Sequence, residues 1–193
     1  MSKCVCLIGK PNVGKSTIFN KLIREKKSII MDKPGVTRDR IYGHVHYKEK
    51  EFSLIDTGGI TNDNEDFTKD IKIQAEIAID ESDLILFIVD GKYGLDSQDY
   101  FIRDMLIRSN KEVIVVVNKV DNAERKNNIY EFYELGFPEI LSVSGEHNLG
   151  FSELLELITK DLNDNENISN EIPKFCLIGR PNVGKSSLMN AIL

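Results

Sequence analysis

A glycine-rich segment near the start of the chain has the residue types and spacing of a phosphate-binding loop. It fits the pattern G-x-x-x-x-G-K-[ST] and consists of Gly9, Lys10, Pro11, Asn12, Val13, Gly14, Lys15 and Ser16. The glycines let the backbone wrap closely around phosphate groups, which successive N–H groups and a helix N-terminus then face. We expect Lys15 to reach the β- and γ-phosphates and Ser16 to offer its hydroxyl to Mg²⁺. The segment predicts a nucleoside triphosphate site without specifying the base.

A second motif further along the chain predicts which base is bound. It consists of Asn118, Lys119, Val120 and Asp121 and follows a Val-rich segment. The Asp121 carboxylate would accept hydrogen bonds from N1–H and the exocyclic NH₂ of guanine, a donor pair that adenine lacks. A mismatched base would leave that carboxylate unpaired, so discrimination would be strong. Asn118 is expected to tie this motif to the phosphate loop, and Lys119 to lay its alkyl stem along the base.

A weaker signal lies after the last predicted strand. Ser144 and Gly145, followed by Glu146, would support the base through main-chain N–H groups. An ordinary turn would have the same residue types, so both interpretations stay open.

Two further segments have the features of nucleotide-dependent switches. The first consists of Asp56, Thr57, Gly58 and Gly59 and follows a predicted strand. Asp56 suits a water-mediated contact to Mg²⁺, and the Gly59 N–H suits the γ-phosphate. The second segment is 34–39, before the second predicted strand. Its Thr37 would complete the set of magnesium ligands while triphosphate is bound.

Hydrolysis must be assisted without the glutamine that commonly orients the attacking water. The residue after Gly59 is Ile60. Asn12 would instead supply an oxygen ligand to a monovalent cation, K⁺, placed against the charge that develops on the phosphates. Capping of the loop by Asn12 is the alternative. The residues expected to act in hydrolysis are therefore Lys15, Asn12, Thr37 and Gly59.

The phosphate loop occurs twice. Residues 176–186 repeat residues 6–16 at ten of eleven positions. The second loop consists of Gly179, Arg180, Pro181, Asn182, Val183, Gly184, Lys185 and Ser186. We interpret 1–162 as a first domain, 163–173 as a flexible acidic linker and 174–193 as the truncated start of a second domain. A C-terminal docking peptide is the alternative for the last segment.

Hydrophobic patterns predict the elements that must position these motifs. Strands are expected over 5–8, 38–48, 52–55, 84–89, 113–117 and 140–143, and helices over 15–24, 69–80, 99–109, 122–135 and 152–162. This alternation is typical of an α/β fold with a mostly parallel sheet and helices on both faces. Ligands of such sheets bind at the carboxyl ends of the strands, where each motif above falls.

Composition limits the classes of protein that remain. The chain is 41% hydrophobic and 29% charged, with a net charge of −6, so a broad nucleic-acid-binding face is not expected. The longest apolar runs, 84–89 and 113–117, are far shorter than the ~20 residues of a membrane span. Cys4, Cys6 and Cys176 are expected to be free thiols, the first two buried in a strand. These features predict a cytoplasmic protein with no membrane partner.

The combination of P-N-V-G-K-S, P-G-V-T-R-D, D-T-G-G-I, N-K-V-D and tandem phosphate loops resembles the Der (EngA) family of bacterial GTPases. The resemblance implies a Ras-like P-loop fold, potassium-stimulated GTP hydrolysis and a role in maturation of the large ribosomal subunit. Carried over by position, Gly9–Ser16 bind phosphates, Thr37 and Asp56 belong to the switches, and Asn118–Asp121 read guanine. Asn148, where glycine is usual, and Gly145, where alanine is frequent, depart from the family pattern.

The family has two consecutive GTPase domains and a KH-like domain, and the resemblance implies that this chain corresponds to the first GTPase domain and the start of the second. We therefore expect GTP and GDP as ligands and weak or no binding of the ribosome and its rRNA. Two alternatives remain: a GTP-dependent docking module that does not hydrolyse, and a related GTPase of tRNA modification or iron transport.

Overall fold

The computed structural model describes residues 3–24, 30–31, 41–57, 75–121 and 128–162. Several predicted features lie outside these residues: Thr37, Gly58, Gly59, Ile60, the acidic linker 163–173 and the second phosphate loop within 174–193. The domain boundaries proposed from the sequence therefore stay predictions.

Seven strands of the described residues form one sheet. They are β1 (Lys3–Ile8), β2 (Ile30–Met31), β3 (Ile41–Tyr47), β4 (Lys50–Asp56), β5 (Leu84–Asp90), β6 (Glu112–Asn118) and β7 (Glu139–Ser142). Their order across the sheet is β2-β3-β4-β1-β5-β6-β7. The pairs β4-β1-β5-β6-β7 are parallel, whereas β2-β3 and β3-β4 are antiparallel. The predicted mostly parallel α/β sheet is confirmed.

Helices cover both faces of the sheet. They are α1 (Lys15–Arg24), α2 (described over 75–81), α3 (Ser97–Ser109), a 3₁₀ helix (Asn128–Leu135) and α4 (Phe151–Ile158). One hydrophobic core joins α1 and α4 to one face, and a second joins α2, α3 and the 3₁₀ helix to the other.

The period of two along β1 explains why there are two cores. Val5 and Leu7 point into the first, whereas Cys6 and Ile8 point into the second. Strand β5 is buried at every position, as a central parallel strand covered on both faces must be. Cys6 is a buried thiol, as predicted, and burial raises its pKa to about 12. Cys4 is only half-buried.

Several predicted boundaries are wrong. α3 begins at Ser97 rather than residue 99, because Asp96 is its N-cap. α4 ends at Ile158 rather than at residue 162. After Thr159, the N–H groups of Lys160 and Leu162 bond to carbonyls three residues back instead of four, so the α-helical pattern stops. Residues 128–135 of the predicted fourth α-helix form a 3₁₀ helix, whose i, i+3 positions eclipse and bring Tyr130 and Tyr133 into a stack.

The register of the sheet places the predicted motifs at one edge. Leu7 pairs with Asp56, Ile8 with Phe87, and Asp90 with Asn118. The carboxyl ends of β1, β4, β5 and β6 therefore lie side by side. No helix within the described residues has the length and apolar character to span a bilayer.

Candidate nucleotide-binding site

The phosphate loop connects β1 to α1 and is tightly packed against the sheet. A Cβ at Gly9 would lie 2.3 Å from the carbonyl oxygen of Ile88. Gly14 has φ +96°, and a Cβ there would lie 2.3 Å from Asn118 Nδ2. A side chain at either position would collide with these neighbouring atoms, so both positions require glycine. At Gly14 the positive φ is a second reason.

Lys15 lies across the mouth of this loop. Its Nζ donates to the carbonyl oxygens of Gly9 and Lys10, both at 2.8 Å. The side chain is buried, and burial lowers the pKa of Lys15 to about 8, opposed by the nearby charge of Asp56. The loop therefore contains a cation that carbonyl dipoles only partly compensate, which favours a bound anion.

Asn118 joins three loops through one side chain. Its Nδ2 donates to the Val13 carbonyl at 2.8 Å, and its Oδ1 accepts from the Gly145 N–H at 3.0 Å. The amide is buried, so both bonds are shielded from water. The phosphate loop, the end of β6 and the loop after β7 therefore have a fixed relative position.

Lys119 extends from the base motif toward the phosphate loop. Its Nζ donates to the Asn12 carbonyl at 2.7 Å and to Asp90 Oδ2 at 2.6 Å. Lys119 has φ +68°, an uncommon value for a residue with a side chain. The Lys119 side chain therefore links the phosphate loop to the end of β5.

The loop after β7 is tied to the base motif and to itself by main-chain hydrogen bonds. The Gly145 N–H donates to Asn118, and the Ser144 N–H donates to the Leu149 carbonyl. Both N–H groups thus have protein acceptors in this arrangement, and the expected main-chain contact of this loop with a base stays a prediction. These residues support the base motif indirectly, because they hold Asn118 in place.

The residues expected to hold Mg²⁺ have suitable donor groups. Ser16 is exposed near the start of α1, and Asp56 is fully buried at the end of β4. A hydroxyl and a carboxylate are oxygen ligands of the kind that Mg²⁺ takes together with waters and phosphate oxygens. The neighbouring Thr57 hydroxyl is used structurally, since it donates to the Leu7 carbonyl at 2.7 Å.

Sequence reasoning missed three acidic residues at this edge. Asp90 holds Lys119, whereas Asp96 and Asp99 both accept from Lys10. The spacing of Asp96 and Asp99 before an apolar helix is a capping-box signal, and it would have predicted the start of α3. Nothing in the sequence would have predicted their contact with a residue almost ninety positions away.

The fold and the loops together define the class of P-loop GTPases: a phosphate loop after β1, a buried carboxylate after β4 and a guanine-type motif after β6. The chain belongs to the 50S ribosome-binding GTPase family, whose model matches residues 4–119 and 174–193. The second match covers the repeated phosphate loop.

Curated relatives named GTPase Der are similar over nearly the whole chain. The protein of Listeria innocua is 50% identical over 191 residues, which is 98% of this chain and 44% of the relative. The protein of Bacillus cytotoxicus is 51% identical over the same shares. The chain thus spans less than half the length of these relatives.

Solved GTPase structures have the same fold. Era of Aquifex aeolicus, bound to GDP and AlF₄⁻, has a TM-score of 0.68 and 32% identity, over 86% of this chain and 59% of Era. Era in complex with MgGDPNP and a 16S ribosomal RNA fragment has a TM-score of 0.67 and 33% identity, over 89% and 61%. The G domain of the iron transporter FeoB from T. maritima has a TM-score of 0.62 and 28% identity, over 83% and 98%.

Proposed function

We propose that this chain is a GTP-binding and GTP-hydrolysing switch, and that the whole protein acts in biogenesis of the large ribosomal subunit. The observation that carries the proposal is the buried Asn118 amide, which holds the phosphate loop and the base motif in one arrangement. Only a ligand with phosphates at one end and a base at the other needs both the phosphate loop and the base motif. The description of the family, 50S ribosome-binding GTPase, supports the ribosomal part.

In this proposal each site residue has a separate task. Asp121 accepts from the guanine edge. Lys15, whose ammonium has three N–H donors, keeps its two carbonyl partners and directs the third N–H to a phosphate oxygen. Ser16, Asp56 and Thr37 would hold Mg²⁺, which neutralises phosphate charge when bound. Water then attacks the γ-phosphorus, the bond to the β-phosphate oxygen breaks, and GDP and phosphate result.

The base assignment is tested by Asp121→Asn with GTP and XTP. Asparagine offers an amide donor where xanthine has a carbonyl in place of the guanine NH₂. We expect GTP affinity to fall roughly 10–100-fold and XTP affinity to rise, measured by nucleotide titration.

Asp161→Asn is the matched control. Lys3 Nζ bonds the Ile158 carbonyl at 3.3 Å, which places the end of α4 near the amino end of β1, away from the nucleotide edge. This exposed aspartate should therefore not affect base preference. An unchanged preference for GTP in the Asp121 variant would remove the base assignment.

Potassium stimulation depends on Asn12. Its side chain is exposed and its φ is +63°. Its carbonyl is held by Lys119, so the residue has a fixed place on the loop. We expect faster turnover in KCl than in NaCl at equal ionic strength, because K⁺ bound there would offset developing phosphate charge.

Asn12→Gly isolates this effect, because glycine accepts a positive φ but has no side-chain oxygen. Stimulation by K⁺ should disappear in that variant and survive in Asn12→Asp. Equal wild-type rates in the two salts would contradict the potassium proposal, and an equal loss in both salts in Asn12→Gly would assign Asn12 to loop capping.

A non-hydrolysing docking module is the second candidate, favoured by Ile60 after Gly59. Single-turnover phosphate release in saturating KCl separates the two functions. Bound GTP without phosphate release would favour docking.

A further inference from the structure

Lys10, the second residue of the phosphate loop, is joined to α3 by its side chain. Its Nζ lies 2.6 Å from Asp96 Oδ2 and 2.8 Å from Asp99 Oδ2. The side chains of Lys10 and Asp99 are 12% and 0% exposed, whereas that of Asp96 is 51% exposed. One half of the contact is thus enclosed by protein and the other half reaches water. We call these three residues the Lys10 clamp.

Both carboxylates of the clamp are fixed by the backbone of α3. Asp96 Oδ1 accepts from the N–H groups of Gln98 at 2.9 Å and Asp99 at 3.2 Å. Asp99 Oδ2 accepts in turn from the Asp96 N–H at 3.1 Å. Because this capping box holds both acceptors, the start of α3 is a rigid anchor for Lys10.

Within the clamp, burial raises the pKa of Asp99 despite its hydrogen bond from Lys10, whereas the hydrogen bonds of the more exposed Asp96 outweigh burial and lower the pKa of that carboxyl. Burial lowers the pKa of Lys10, but its hydrogen bonds to Asp96 and Asp99 outweigh that effect and raise the pKa above its usual value. A pair this enclosed is screened little by salt. Removal of one partner would leave a buried charge without compensation.

The clamp acts on the phosphate site through the main chain of Lys10. The Lys10 carbonyl is one of the two acceptors of Lys15 Nζ, at 2.8 Å. The position of α3 therefore fixes an acceptor of the lysine that is expected to contact phosphates. A loose Lys10 side chain would release that constraint.

We propose that the Lys10 clamp is a positioning device that holds the phosphate loop closed and slows the release of GDP. The proposal rests on the proposed function, in which this loop binds a guanine nucleotide. Lys10 has no direct role in chemistry here, because its ammonium is occupied by Asp96 and Asp99.

Release of a fluorescent GDP from the full chain, followed after mixing with excess GDP, tests the clamp. Lys10→Met keeps the apolar stem and removes the charge, and Asp99→Asn keeps the shape. Each should speed release on the order of tenfold. The variant with both substitutions should release GDP at a rate similar to that of either single variant, because both substitutions remove the same contact. Lys10→Arg should restore slow release in part.

Lys48→Met is the matched control, since it breaks an ion pair of Lys48 with Glu156 whose side chains are both 62% exposed. Its release rate should stay within about twofold of wild type. Should the buried variants not fold, Asp96→Asn preserves the N-cap and should still speed release severalfold.

The outcomes separate the two proposals. Wild-type release rates in Lys10→Met and Asp99→Asn, even with a lower melting temperature, would reduce the clamp to a structural contact and overturn this inference. Failure of the wild-type chain to bind GDP would overturn the proposed function instead.

Discussion

Three lysines surround the nucleotide site, and each has a different environment. Lys15 is buried against carbonyl dipoles, Lys10 is enclosed by two carboxylates, and Lys119 bridges Asp90 and the phosphate loop. Full charges stabilise an ammonium more than carbonyl dipoles do. Lys15 is therefore the lysine of the three whose surroundings leave its charge most available to an incoming phosphate.

This environment makes nucleotide affinity depend on pH. In the absence of ligand the pKa of Lys15 is about 8, whereas phosphate anions in contact would raise it. Above pH 8 a proton must be taken up on binding, so affinity decreases as pH increases. Between pH 7 and pH 9 we expect the affinity for GDP to decrease about tenfold, measured by titration calorimetry.

Guanosine is the control for this dependence, because it has the same base but no phosphates. Its weaker binding should change little over the same range. A GDP affinity that is flat from pH 7 to 9 would show that Lys15 is fully protonated before nucleotide binds, and an affinity that rises would show that another group determines the pH dependence.

At the scale of elements, sequence patterns predict the strands and helices whose burial is determined by residues within the same segment. The apolar run of β5 and the helical spacing of Ile18 and Leu22 in α1 each describe one segment's own burial, so their prediction succeeds. β2 was not predicted, because its two residues are too short for a pattern and depend on pairing with β3. Helix ends failed where caps and turns, rather than hydrophobicity, decide the boundary.

The same distinction between local features and contacts distant in sequence holds for the candidate site. Contiguous motifs were predictable because backbone conformation and function are encoded in neighbouring residues, as in Gly9–Ser16. The contacts between motifs were not fully predictable. Asn118 was expected to reach the phosphate loop, but its bond from the Gly145 N–H was not, and neither was the Lys10 clamp. Such contacts depend on strand order, which the sequence does not specify residue by residue.

At the scale of the molecule, the site exists because β1 lies between β4 and β5 in the sheet. This order places the phosphate loop between Asp56 and the loop that begins at Asp90. The division into domains rests on the sequence, because residues 176–186 repeat residues 6–16 and the stretch between the two units is acidic and poor in apolar residues. We propose that 1–162 is the GTPase domain, that 163–173 is a linker and that 174–193 belongs to a second domain.

Charge over the whole chain limits what this part of the protein would do with a ribosome. Its net charge is −6, and rRNA affinity at physiological salt requires several lysine or arginine contacts to phosphates. We expect little of the chain to sediment with 50S subunits at about 0.15 M salt, with GDP or with a non-hydrolysable GTP analogue. A longer relative named GTPase Der serves as the comparison under the same conditions. Stoichiometric retention of this chain with the analogue would contradict the expectation, and would mean that a local patch on 1–162 is enough for ribosome recognition.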